Sequence, residues 1–179
     1  MKTINDIFLN YLSSFKDTFN NEGPVKSFLE SWLCLTLAAQ INIGKHSYKN
    51  KNDKDKLEFL FKDYKNIIAA LLDEKENKSR LKNILDITES GCPILITKFD
   101  DVKDVLNKTE KMSHLADKEL DYFMDCIVSL IHLGKNKLFR SFNMDSIAED
   151  YGDYDILFCK NASMLIRTII EAVIQPVGN

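Results

Sequence analysis

Three prolines and six glycines in 179 residues are too few turn-formers for a sandwich or barrel of many short strands, which needs a turn about every ten residues. Arginine is nearly missing, confined to Arg80, Arg140 and Arg167. Its planar fork is the usual reader of phosphates and bases, and the net charge is -3 with a pI near 5.7, so generic nucleic-acid binding is not expected. No apolar run approaches the roughly 18 residues of a membrane span. The longest, Trp32 to Ala39, is broken by Thr36 and followed by Gln40.

Chemistry is scarce as well. Cys34, Cys92, Cys126 and Cys159 stand far apart with no CxxC pair, which fits buried reduced thiols in a chain long enough to stabilise itself without disulfides. His46, His114 and His132 supply no paired ligand spacing, so neither a metal nor another cofactor is expected. The GxSxG elbow, the GxxxxGK[ST] phosphate loop, GxGxxG and HExxH are all missing. The N-terminus, MKTINDIFLNYLSSF, places Asn5, Asp6 and Asn10 where a secretion signal would be apolar, and reads as the first helix of a cytoplasmic protein.

What is present is helical periodicity. A content of 45% hydrophobic and 28% charged residues suits one folded domain over 1–179. Ile4, Ile7, Phe8, Tyr11, Leu12, Phe15 and Phe19 share a face of a helix over about 3–20. Pro24 suits the first turn of the next helix, and Val25 to Ile43, apolar nearly all round with Trp32 in its core, is expected to be the central one. A lysine-rich loop, Lys45 to Lys56, carries Tyr48. The stripe Leu57, Leu60, Phe61, Tyr64, Ile67, Ile68, Leu71 and Leu72 predicts one helix capped by Asp53 or Asp55. A charged break at 73–78 precedes another helix on Leu81, Ile84 and Leu85, stopped at Ser90-Gly91-Cys92-Pro93.

Ile94 to Thr97 could be a strand or a helical turn, and without a partner strand the turn is preferred. Helices follow on Val102, Val105 and Leu106, then from a capping Asp117 to Gly134, and last on Ile156, Leu157, Ala162, Leu165, Ile166, Ile169, Ile170 and Val173. The fold expected is all-α: a single compact domain of about seven to nine helices around a central apolar helix.

One stretch departs from this pattern. Glu149-Asp150-Tyr151-Gly152-Asp153-Tyr154-Asp155 gathers carboxylates and tyrosines around a glycine, between two apolar segments. Tyrosine joins an apolar face to a hydroxyl, which suits interface anchoring, and clustered carboxylates attract cationic partners. The plainer reading is a solvated turn whose acids favour the N-terminus of the next helix. His132, followed by Lys135 and Asn136, is the best single acid-base residue, though a histidine closing an apolar helix is the simpler account.

Two resemblances attach to these residues. In size, acidity, helical content and the Glu149 to Asp155 stretch, the chain resembles the small immunity proteins encoded beside bacterial toxins, such as those of contact-dependent growth inhibition. That resemblance implies a non-enzymatic protein binding a cognate toxin domain, a nuclease whose basic site Glu149, Asp150, Tyr151, Asp153, Tyr154 and Asp155 would cover; charge and the lack of a long apolar run add that neither nucleic acid nor membrane is expected as partner. Separately, Ser129 to Leu133 with Asn136 to Phe139 resembles, over about a dozen residues, a segment of the elimination domain of lantibiotic dehydratases, with lysine where that family has arginine. It implies a helical enzyme or an accessory of peptide modification using His132. A helical RNA- or protein-binding adaptor using Tyr48 and the lysine loop is the third reading.

Overall fold

The structure, a computed structural model, describes residues 23–43, 51–91, 96–141 and 153–174. Among them are seven α-helices, a short 3-10 turn and no strand. We number the helices α1 (Pro24–Ile43), α2 (Asp53–Asp63), α3 (Lys65–Asp73), α4 (Lys75–Gly91), α5 (Ile96–Lys108), α6 (Asp117–Ser141) and α7 (Asp153–Ile174), with the 3-10 turn Met112–His114 between α5 and α6. The chain forms a single compact all-α domain. The helix expected over 3–20, Tyr48 with most of the lysine loop, and Cys92-Pro93 lie outside the described residues.

Among the described residues the middle of the bundle is α7, which packs against α1, α3, α4 and α6. The 25–43 segment expected there, now α1, is its principal partner rather than the centre. It buries Phe28, Trp32, Leu35 and Ala39, but leaves Leu33 and Leu37 exposed on the face that also carries Lys26 and Gln40. Small residues let α1 and α7 approach: Ser27, Ser31, Cys34 and Ala38 on one, Cys159, Ala162 and Ser163 on the other, all buried. Ser31 satisfies its hydroxyl locally, donating to the Ser27 carbonyl at 2.7 Å, and Ser163 donates to Lys160 at 3.1 Å.

The stripe over 57–72 is not one helix. Tyr64 leaves helical geometry (φ -112°, ψ 16°), and α2 and α3 meet there at a bend. Hydrogen bonds continue across it, from the Tyr64 N–H to the Leu60 carbonyl and from the Ile68 N–H to the Tyr64 carbonyl. The bend gives the halves different neighbours: α2 packs on α1 and α6, while α3 reaches α4, α6, α7 and the 3-10 turn. The cap of α2 is Asn52, whose side chain accepts the Asp55 N–H at 2.9 Å; Asp53 and Asp55 instead fall in the first turn, where carboxylates meet the positive end of the helix.

The break expected at 73–78 shrinks to Glu74, with extended ψ of 130°, after which α4 begins at Lys75 and runs to Gly91. Buried Asn77 closes this corner by donating to the Leu71 carbonyl and to Glu74. The carboxylate of Asp73 accepts the N–H groups of Met112 and Ser113 and the Ser113 hydroxyl, while Lys78 donates to the carbonyls of Thr109 and Glu110. Ile96 and Thr97 open α5, so that end of the doubtful apolar tetrad is helical.

Asp117 does not cap α6. The cap position is Ala116, whose N–H donates to Glu119 three residues on, and Asp117 pairs with Lys65 at 2.7 Å. Gly134 does not end the helix either, since α6 continues to Ser141. At Gly134 a Cβ would stand 2.0 Å from Cζ of Phe158, so the missing side chain is what lets that ring lie on α6. Phe158 then meets Phe28 edge-on at 5.5 Å, tying α6, α7 and α1 together.

Candidate functional site

Of the acidic, tyrosine-rich stretch, Glu149, Asp150 and Tyr151 lie outside the described residues. Asp153, Tyr154 and Asp155 lie at the start of α7. The side chains immediately after them carry the information. Ile156 and Leu157 were expected in the core with the rest of the stripe, yet they are 39% and 46% exposed. They lie with Lys160, Met164, Arg167 and Glu171 on one side of α7, opposite the buried Phe158, Ala162, Leu165 and Ile169. Extending the 3.6-residue period back from Ile169 through Leu165 and Phe158 would have placed them there; hydrophobicity alone counted them as core.

Acidic groups elsewhere are committed within the fold. Asp117, Asp121 and Asp125 form a one-turn ladder along α6 that faces α2 and α3. Lys65 lies 2.7 Å from Asp117 and 2.8 Å from Asp121, and Lys62 lies 3.3 Å from Asp125. The hydrogen bonds from Lys65 to Asp117 and Asp121 raise its pKa above the ordinary lysine value. Asp125 Oδ1 is buried and near its lysine without the alignment of a hydrogen bond.

A second group of side chains assembles where α1, α2 and α6 meet. His132 is half-buried, with its ring 5.9 Å from that of Trp32, which is itself 3% exposed. Lys135 Nζ sits 5.4 Å from the Trp32 ring centroid and donates to Asn136 Oδ1 at 3.3 Å. That ammonium fixes which end of the amide is oxygen, so Asn136 Nδ2 donates to His132 Nδ1, also at 3.3 Å. With Nδ1 accepting, the ring proton resides on Nε2. Burial lowers the histidine's pKa, Lys135 and Lys54 lower it further, and Asp53 and Glu58 only partly oppose this, so the ring is neutral near pH 7.

This has a chemical consequence. The open edge of His132 is a hydrogen-bond donor, while its basic nitrogen is occupied by Asn136. A general base needs a free lone pair, so the arrangement is suited to recognising an acceptor rather than removing a proton. Trp32, expected in the core, and Lys54, expected in the loop, both belong to this corner because the chain from α2 into α3 runs antiparallel to α6, as the Lys62–Asp125 and Lys65–Asp121 pairs require. Nothing local in the sequence signals that pairing.

Among the described residues the cysteines are shielded. Cys34, Cys126 and Cys159 are buried thiols, and burial, with Glu30 adding, pushes Cys34 up to about 12. Among the described residues no group of His, Cys, Asp and Glu is arranged to hold a metal, and no helix is long and apolar enough to cross a membrane. Comparison with protein-family models, curated proteins and solved structures found no match.

Proposed function

We propose that the chain is a binding protein of the immunity type, which neutralises a cognate toxin domain by covering a basic, nuclease-like site with Glu149 to Asp155. The observation that supports this is the exposure of Ile156 and Leu157 directly after that stretch. An interface needs an apolar centre as well as charge, and here two aliphatic side chains adjoin two tyrosines and four carboxylates. Asp150, Tyr151, Asp153, Tyr154 and Asp155 supply the complementary charge and the anchors. The donor edge of His132 weighs against the reading as a helical enzyme using that residue as a base.

The test is calorimetry against the toxic domain encoded beside the gene. Tyr151→Ala or Tyr154→Ala is expected to cost about 2 kcal/mol of binding, the size of a buried anchor. Asp153→Ala should slow association and flatten its salt dependence. Unchanged affinity in all three variants would exclude this surface, and failure of the unmodified protein to bind would exclude the toxin reading itself.

A further inference from the structure

Helix α1 packs on α7 and α2 through its buried sides, and its outer side is apolar as well. Leu33 and Leu37 are 52% and 45% exposed there, with Leu29 and Ile41 half-buried beside them. At steps of four residues these side chains form one ridge, about 18 Å long at a rise of about 1.5 Å per residue. Thr36 adds little polarity to it, because its hydroxyl donates back to the Leu33 carbonyl at 2.9 Å.

The chain itself contains a cover for this ridge. Residues 4–19 lie outside the described residues, and their sequence repeats apolar side chains at helical spacing. Only Asn20 to Gly23 separate them from α1, a length that joins antiparallel neighbours in helical bundles. In an antiparallel register Ile4, Phe8, Leu12 and Phe15 fall opposite Ile41, Leu37, Leu33 and Leu29, since the members of each pair stand nearly equally far from that connection. Ile4, Phe8 and Leu12 share the ridge's step of four, as packing of ridges into grooves requires. We propose that the segment 4–19 docks antiparallel on the outer side of α1, seating Phe8 and Leu12 against Leu37 and Leu33. A second copy of the chain is a poorer occupant. One ridge about 18 Å long falls short of the roughly 1,200 Å² that a stable interface buries, whereas the short connection holds the segment beside α1 at an effective concentration of order millimolar.

The experiment is NMR on the full chain with labelled methyl groups. Cross-peaks are expected between the Phe8 ring and the Leu37 methyls, and between Leu12 and Leu33. In Leu33→Asp, which sets a carboxylate against the segment, amides of 8–19 should exchange at least about tenfold faster than in the parent chain. The methyl signals of buried Ile127 and Ile166 should not move in that variant, because an exposed position tolerates the change within the described bundle. Phe8→Ala should release the same amides and shift the Leu37 methyls, and it serves if Leu33→Asp disturbs the bundle. Ile67→Gln, at a position on α3 as exposed as Leu37, should leave the segment protected. Absence of the cross-peaks, unchanged exchange in either of the first two variants, or lost protection in Ile67→Gln would each overturn the proposal. Cross-peaks arising only between labelled and unlabelled chains in a mixed sample would assign the ridge to a second copy and overturn it equally. No toxin is needed, so the outcome is separate from that of the immunity reading.

Discussion

Gly134 shows how one missing side chain decides a packing arrangement. In an open helix, alanine in place of glycine stabilises by about 1 kcal/mol. Here the new methyl would stand 2.0 Å from Cζ and 2.4 Å from Cε1 of a Phe158 ring already pinned against Phe28. Overpacking should dominate, and Gly134→Ala is expected to lose about 1–3 kcal/mol in urea unfolding. Phe158→Leu in the same chain should recover part of that loss, which separates a clash from any effect on helix propensity. His132 makes the second residue-scale prediction. Its native pKa lies below the ordinary 6.5, because burial, Lys135 and Lys54 outweigh Asp53 and Glu58. Above that pH neither folded nor unfolded ring is charged, and the stability is intact. As pH falls through 6.5 the unfolded chain takes up a proton the native chain refuses, so stability declines until the native pKa is reached. His132→Gln should flatten the urea midpoint in that window, and a midpoint that still falls equally there would mean other groups cause the decline.

At the scale of elements, the turn 112–114 is held by a side chain on a different helix. Asp73, last in α3, accepts from two backbone N–H groups and one hydroxyl of Met112 and Ser113. Asp73→Ala leaves those donors without their carboxylate and should cost about 1–3 kcal/mol, with faster amide exchange at 112 and 113. Asp73→Asn, which keeps an acceptor, should cost less. This contact also marks where the sequence stopped being legible. Apolar spacing located α1, α4, α5 and α7, because a buried face repeats every three or four residues whatever it packs on. It could not divide α2 from α3, since Tyr64 continues the stripe and the bend comes from two halves meeting different neighbours. Nor could it separate Asp53 from Asn52 as cap, or recognise Gly134 as a seat for Phe158 instead of a stop, because each depends on a residue far along the chain. The same distance hid the His132 corner, where Trp32 and Lys54 arrive on other helices. The acidic stretch itself was legible as composition, but not that its last three residues belong to the following helix instead of a turn.

For the whole molecule, the question is whether the exposed apolar side of α7 is there for folding or for a partner. Folding is served by the opposite side: Phe158, Cys159, Ala162, Leu165, Ile166, Ile169 and Ile170 are buried against α1, α3, α4 and α6. Ile166→Ala should therefore cost about 2–5 kcal/mol, as for any large-to-small change in a packed interior. Ile156 and Leu157 lie on the outer side, and a substitution at an exposed position away from caps and networks usually changes stability by no more than about 0.5 kcal/mol. Leu157→Asp is accordingly expected to unfold at the same urea concentration as the parent chain, within that range. If the same side chain belongs to the centre of an interface with the tyrosines that precede it, the added carboxylate would be desolvated on binding without a partner arranged for it, and affinity for the toxin domain should fall at least about tenfold. The two readouts together decide the matter. Unchanged stability with lost binding assigns this side of α7 to recognition. Lost stability would return Leu157 to the fold, and unchanged values of both would leave the carboxylates and tyrosines of 149–155 to bind without an apolar centre, which an interface of useful affinity rarely does.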